Sequence, residues 1–208
     1  MEGRYVTLAP LDASSHADAL WRQTGGTENA PLWLYLPAGP FGERSAFEAD
    51  IAGKAVSTDR VFFAIVDKQA SEAAGYTSYL RIEPAHRCIE VGYILYTPAL
   101  QRTRGATEAM YLMARYVFEE LGYRRYEWKC DARNEPSRRA ALRLGFTFEG
   151  IFRQHMIVKG RNRNTAWYSM LDKEWPARKA AFERWLDRSN FDEQGRQKSK
   201  LQPTNQPF

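Results

Sequence analysis

Cysteine and histidine are scarce in this chain: two Cys, Cys88 and Cys130, and three His, His16, His86 and His155, among 208 residues. Two thiols can close at most one bridge, and no Cys/His spacing resembles a zinc site, so neither a disulfide scaffold nor a bound metal is expected. Long apolar runs are also missing. Nothing approaches the ~20 residues needed to cross a bilayer, and the opening MEGRYVTLAP lacks the basic-then-apolar pattern of a signal segment. The expectation is a soluble cytoplasmic protein with reduced thiols and no membrane partner. Internal repeats are absent. The formal charge of +5 favours anionic ligands, but Arg and Lys are spread along the chain and no recognised nucleic-acid module is present, so nucleic acid is not the expected partner.

What is present suits one sizeable domain. A hydrophobic share of 44% is enough to bury a continuous core, and 208 residues fit one domain better than two. The expected division is a domain over 1–176, a C-terminal helix over 177–194 and a polar, disordered tail over 195–208, in a monomer or homodimer.

The pattern predicts a strand over Tyr5–Leu8, a helix capped by Asp12 and ended by Gly25-Gly26, and an amphipathic helix from Arg44 to Val56. Between the helices, PLWLYLPAGPF (31–41) is either a segment packed on the body or a wall of a substrate pocket. Val61–Val66 and Gly75–Leu80 read as a hairpin, and Cys88–Tyr96 as a third strand. Helical spacing is clearest over Thr107–Leu121, with Gly122 as its stop. Then come a strand at Tyr126–Cys130, a helix at Pro136–Leu144, a strand from Phe146 to Ile157, a basic turn KGRNRN, a last strand at Ala166–Leu171 and a helix after Trp175-Pro176. This order indicates an α+β, mixed α/β fold: a central, mostly antiparallel sheet with one parallel crossover, flanked by helices. Crossovers of that kind open ligand sites at strand ends.

The chemistry concentrates at Arg102-Thr103-Arg104-Gly105-Ala106-Thr107, a glycine-containing loop before the strongest helix. Unpaired N–H groups at a helix start, with two arginines beside them, suit a pyrophosphate. The loop has neither the Lys-Ser/Thr ending of a nucleoside-triphosphate loop nor the three-glycine dinucleotide pattern. On its own it reads equally as a basic helix cap.

This loop resembles the Arg/Gln-x-x-Gly-x-Gly/Ala loop of the GNAT superfamily of acyl-CoA-dependent N-acyltransferases, with Thr107 at its last position. Asn134-Glu135-Pro136-Ser137, Leu144-Gly145-Phe146 and Glu149-Gly150 are similar to the Asn-x-x-Ser, Leu-Gly-Phe and Glu-Gly elements of its RimJ/RimL-like branch. The resemblance implies the GNAT fold and transfer of an acetyl group from acetyl-CoA to an amine, either a protein N-terminus or a small molecule, by direct attack in a ternary complex. It places the pantetheine arm against Ile94, Leu95 and Tyr96, the pyrophosphate on the N–H groups of Arg104, Gly105, Ala106 and Thr107 with Arg102 and Thr103 beside them, Asn134 on the pantetheine, and Arg138 and Arg139 toward the adenosine. Glu90 stands where several members carry a catalytic carboxylate; it is a base or relay, or it orders the loop or pairs with an arginine. The tyrosine that many members use to protonate the thiolate is Ala141 here. Ser137, Tyr93 and Tyr96 are the remaining donors, with a helix-capping hydroxyl as the alternative for Ser137. The departure also leaves a non-catalytic acyl-CoA sensor as the competing expectation. Cys130 is expected to be a small buried residue, Trp128, Trp167 and Trp175 to be packing, and KGRNRN a solvated turn that could border the acceptor groove.

Overall fold

A computed structural model describes residues 1–201. Its seven strands form one sheet in the order β1-β2-β3-β4-β5-β7-β6: β1 Val6–Pro10, β2 Arg60–Asp67, β3 Glu72–Glu83, β4 Cys88–Tyr96, β5 Arg125–Asp131, β6 Thr147–Val158 and β7 Arg161–Leu171. Every neighbouring pair is antiparallel except β4–β5. That parallel pair requires a crossover, which α3 (Arg104–Arg115) supplies; α1 (Ala13–Thr24), α2 (Arg44–Ala55), α4 (Glu135–Arg143) and α5 (Trp175–Leu186) complete the α-helices among the described residues.

Alternation along the strands makes two cores, one on each face of the sheet. Leu20, Trp33, Phe47 and Ile51 bury against Ala64, Tyr76 and Leu95 on one face. Ile65, Tyr79 and Val91 meet Met110, Met113, Val117 and Phe182 on the other. Met110, Leu112 and Met113 are each almost wholly buried, contributing roughly 1.5–3 kcal/mol apiece.

Several expected boundaries shift. The helix predicted to begin at Thr107 begins at Arg104, because Thr103 is its N-cap, and its last turn, Tyr116–Glu120, widens to π winding. In that turn Phe118 stacks on Trp175 while the Glu119 carboxylate accepts from Trp175 Nε1 at 2.9 Å. The basic turn shrinks to Lys159-Gly160, both at positive φ, and residues 161–164 belong to β7. Two-residue hairpins twist correctly only with such backbones. The C-terminal helix ends at Leu186, short of 194.

The tail also differs from expectation as far as it is described. Residues 195–201 turn back onto the body: Gln197 bridges Phe191 and accepts from Trp185 Nε1 at 2.8 Å, Ser199 bonds Asn190, and Leu201 is buried. Residues 202–208 lie outside the described residues.

One carboxylate ties the N-terminal strand to the crossover helix. Glu108, buried in α3, accepts hydrogen bonds from the backbone N–H groups of Arg4, Tyr5 and Val6 at 2.8, 2.6 and 2.9 Å. A Cβ on Gly3 would come within 2.5 Å of this carboxylate, so the approach requires glycine. Replacing Glu108 by Ala strands three backbone donors and should lower unfolding stability by about 3 kcal/mol, measured by chemical denaturation; an unchanged midpoint would show that the strand is held by β2 alone.

Candidate active site

The cavity originates where strand pairing stops. β4 and β5 are in register from Cys88↔Arg125 to Val91↔Trp128, and beyond that no backbone hydrogen bond joins them among the described residues. At this level β4 is bulged: Gly92 pairs with Ser78 and Leu95 with Tyr76, so Tyr93 and Ile94 together face Thr77. Tyr93 adopts φ +51°. A bulge bends its strand, so β4 leans toward β3 while β5 stays bound to β7 through Asp131↔Thr165. The opening joins a cavity of about 1900 Å³ that reaches both faces of the sheet.

On the α3 face, Thr103 Oγ1 accepts from the Ala106 N–H at 3.1 Å and donates to the Leu100 carbonyl at 2.7 Å. That bond removes one of the four N–H groups expected to face a phosphate. Those of Arg104 and Gly105 precede the first helical bond and keep the positive end of the helix dipole. Gly105 packs on β1, where a Cβ would lie 2.9 Å from Val6 Cγ1. Thr107 does not cap the helix; its Oγ1 accepts from Arg143 Nη1 at 3.1 Å. Arg102 lines the cavity, whereas the Arg104 guanidinium is sandwiched between the rings of Tyr5 and Phe191 at 4.9 and 4.8 Å.

Helix α4 forms the opposite wall. Asn134 is its N-cap, Oδ1 accepting from the Ser137 N–H at 3.2 Å. Ser137 is therefore not the cap. Its Oγ accepts from Trp128 Nε1 at 3.0 Å, and its hydroxyl lies at the cavity wall within reach of the Cys130 thiol. Burial pushes the Cys130 thiol up from its ordinary value. The placement of Arg138 corrects the sequence expectation: it turns away to Tyr168 Oη (3.2 Å) and the Ala132 carbonyl (3.3 Å), and Arg139 lines the cavity instead, paired with Glu135. Ala141 is fully buried in the core.

Along β4, Ile94, Leu95 and Tyr96 all border the opening, but the Tyr96 carbonyl already accepts from Gln101 Nε2 at 3.2 Å. The Tyr96 phenol is no donor to the cavity. It points to the Ala106 carbonyl (3.4 Å), and burial holds its pKa well above the ordinary value. Tyr93 stays at the cavity wall, its ring under the Arg60 guanidinium at 4.9 Å.

Glu90 is buried at 3% exposure and does not line the cavity. Its carboxylate pairs with Arg81 at 2.6 Å and Lys129 at 2.9 Å, and Lys129, itself buried, also pairs with Glu127 at 2.6 Å and lies 3.8 Å from the centre of the Trp167 ring. This is the arginine-pairing arrangement that the sequence left open beside the base. Lys129 had no sequence signal of its own; its partners stand on β4, β5 and β7. His155 is held below its ordinary pKa by partial desolvation and by the charges of Arg81, Arg163 and Lys129, with Nδ1 2.9 Å from Thr165 Oγ1.

The far end of the cavity lies on the α1/α2 face. Leu34, Tyr35, Leu36 and Pro37 line it, while Trp33 beside them is core, as the packing reading of the 31–41 segment expects. Tyr35 Oη donates to the Arg133 carbonyl at 3.1 Å, and Lys159 Nζ donates to the Trp33 carbonyl at 2.9 Å, drawing the β6–β7 hairpin over the rim. Met156, Val158 and Arg163 of that hairpin border the groove.

Residues 6–147 match the family described as Acetyltransferase (GNAT) domain. A solved structure of a GCN5-related N-acetyltransferase from Brucella melitensis is 50% identical, with a TM-score of 0.94, covering 96% of this chain and 90% of that one. The uncharacterized N-acetyltransferase YnaD of Bacillus subtilis (strain 168) is 25% identical over 150 residues, 72% of this chain and 85% of YnaD. The ribosomal-protein-serine acetyltransferase of Escherichia coli (strain K12) is 32% identical over 83 residues, 40% of this chain and 46% of that protein. No helix among the described residues is long and apolar enough to cross a membrane. The opened β4–β5 pair, the crossover helix beginning at the Arg-Gly loop, and these similarities agree: the chain belongs to the GNAT family of N-acetyltransferases, RimJ/RimL-like, whose members use acetyl-CoA.

Proposed function

We propose that this protein transfers the acetyl group of acetyl-CoA directly to a primary amine, with both substrates bound at once. The observation that carries the reading is the opening of β4 from β5 into a cavity that reaches both faces of the sheet. One substrate enters from the α3–α4 side and the other from the 34–37 and Arg60 side. The residues present fit the cofactor: the free edge of β4 suits an extended pantetheine arm, and the N–H groups of Arg104 and Gly105 with Arg102 suit a diphosphate. Asn134 caps α4 through its carbonyl, so its amide is left for the arm. Acetyl-CoA supplies the acyl group as an activated thioester.

Ser137 is the donor this reading assigns to the leaving sulfur. Trp128 Nε1 fills one acceptor site of its hydroxyl, and in this reading the O–H donates to the sulfur. Such a bond strengthens as negative charge develops on sulfur, which lowers the barrier and leaves ground-state binding little changed. Direct transfer is favoured because Cys130, the thiol at the site, is buried with a raised pKa and is therefore a poor nucleophile. Glu90 is assigned a positioning role. To accept a proton it would have to weaken ion pairs to Arg81 and Lys129 in a buried setting. The amine then loses its proton to water, and the acceptor reacts through its neutral fraction. The acceptor is a protein N-terminus or a small-molecule amine; the similarity to a ribosomal-protein-serine acetyltransferase supports the former.

Thiol release from acetyl-CoA across an amine panel tests the activity. Intersecting initial-velocity lines, retained in Cys130→Ala, are expected; parallel lines would establish a covalent enzyme intermediate instead. Ser137→Ala should lower kcat about 10²-fold with CoA affinity nearly unchanged and a modestly lower melting temperature, because Trp128 Nε1 loses its acceptor; full turnover in the folded variant would remove Ser137 from the mechanism. For Glu90→Gln, a lower melting temperature is expected while the rate still rises tenfold per pH unit up to the amine pKa. A profile that is shallow between pH 6 and 9 in the parent and steepens to that slope in the variant would restore Glu90 as the base.

A further inference from the structure

We infer that the C-terminal arm, residues 188–201, together with Arg143 of α4, closes the phosphate-bearing end of the cofactor site and clamps the nucleotide portion of CoA; this rests on the acetyl-CoA reading above. The matched family region ends at residue 147, yet Trp185, Phe191 and Gln194–Gln197 line the cavity beside Arg102, Thr103 and Thr107. The arm is a built structure. Asn190 fixes it on both sides, its Nδ2 donating to the Trp185 carbonyl at 3.0 Å and its Oδ1 accepting from the Ser199 N–H at 2.9 Å. Arg196 and Asp192 close its turn, with Nε to Oδ2 at 2.8 Å.

One guanidinium stack attaches this arm to the cofactor loop, and a second attaches α5, which carries the arm, to α4. Arg104 at the start of α3 lies against Phe191, and Arg143 lies 4.8 Å from the centre of the Trp185 ring while donating to Thr107 of α3. The charge balance identifies the missing ligand. Arg139 pairs with Glu135 and Arg196 with Asp192, but Arg102, Arg104 and Arg143 have no carboxylate partner among the described residues. Three cations and a helix N-terminus thus converge on one cavity end without a counter-charge from the chain. The phosphate groups of a nucleotide cofactor supply it, and a guanidinium matches them with paired donors. Neither Arg143 nor the arm touches the sulfur end, so both act on binding and not on the acyl step.

Calorimetric titration of CoA and of pantetheine, which lacks the phosphates, separates the two ends. Arg143→Gln should weaken CoA about 10- to 100-fold and leave pantetheine affinity unchanged; Arg143→Lys, which keeps the charge but not the fork, should fall between. Arg196→Gln, on the exposed turn, should weaken CoA several-fold. In hydrogen–deuterium exchange of the parent, CoA should slow residues 188–201 and pantetheine should not. CoA binding of parental strength in folded Arg143→Gln and Arg143→Lys, or exchange in 188–201 indifferent to CoA, would overturn the clamp. A parent that binds no CoA would overturn the cofactor reading itself, and the clamp with it.

Discussion

Two adjacent strands that pair for four residues and then part are the constraint on which this site depends. Parallel pairing of β4 and β5 ends at Val91↔Trp128 because β4, bulged at Tyr93–Ile94, follows β3 while β5 remains held by β7. An unpaired strand edge inside a sheet is costly unless something else satisfies it. Here that edge lies along a cavity, and the α3 and α4 N-termini open on it from the crossover and from the end of β5. A regular β4 would close the sheet and remove the passage between its two faces.

Strain is concentrated around this opening. Arg81, Tyr93 and Gln154 all adopt positive φ, and each lies at a register shift, in β3, β4 and β6 respectively. Side chains other than glycine occupy that region only when the surroundings compensate. At Arg81 the compensation is visible, since the bulge aims its guanidinium at the buried Glu90 carboxylate. The acids of the core thus serve structure: Glu108 holds the N-terminal strand, and Glu90 and Glu127 hold Lys129. Arg102, Arg104 and Arg143 at the cavity's α3 end have no acidic partner among the described residues, which gives the two ends different chemistry.

Much of the fold was legible in the sequence because its determinants are local. Asp12 caps α1, Gly145 follows α4 at φ +95°, and apolar spacing marks α3 and the strands. The single parallel crossover followed from element order, since a helix stands between the strands now seen as β4 and β5. The helix start after the 102–107 loop and the helix that carries Ser137 were legible for the same reason: each is defined within a few residues.

Tertiary structure decided which of these groups face one another. Arg138 and Arg139 are adjacent in sequence, and about 100° of helix rotation separates the one that bonds Tyr168 from the one that lines the cavity. Glu90 reads as a base until Arg81 and Lys129, on neighbouring strands, close on it. Tyr96 reads as a donor until α3 takes its hydroxyl, and residues 195–201 read as a solvated tail until Trp185 and Asn190 bind them. Propensity, capping and periodicity act over a few residues and are written in the order of the chain. Charge pairing, burial and the direction of a side chain depend on residues far away in that order, and only the packed fold brings them together.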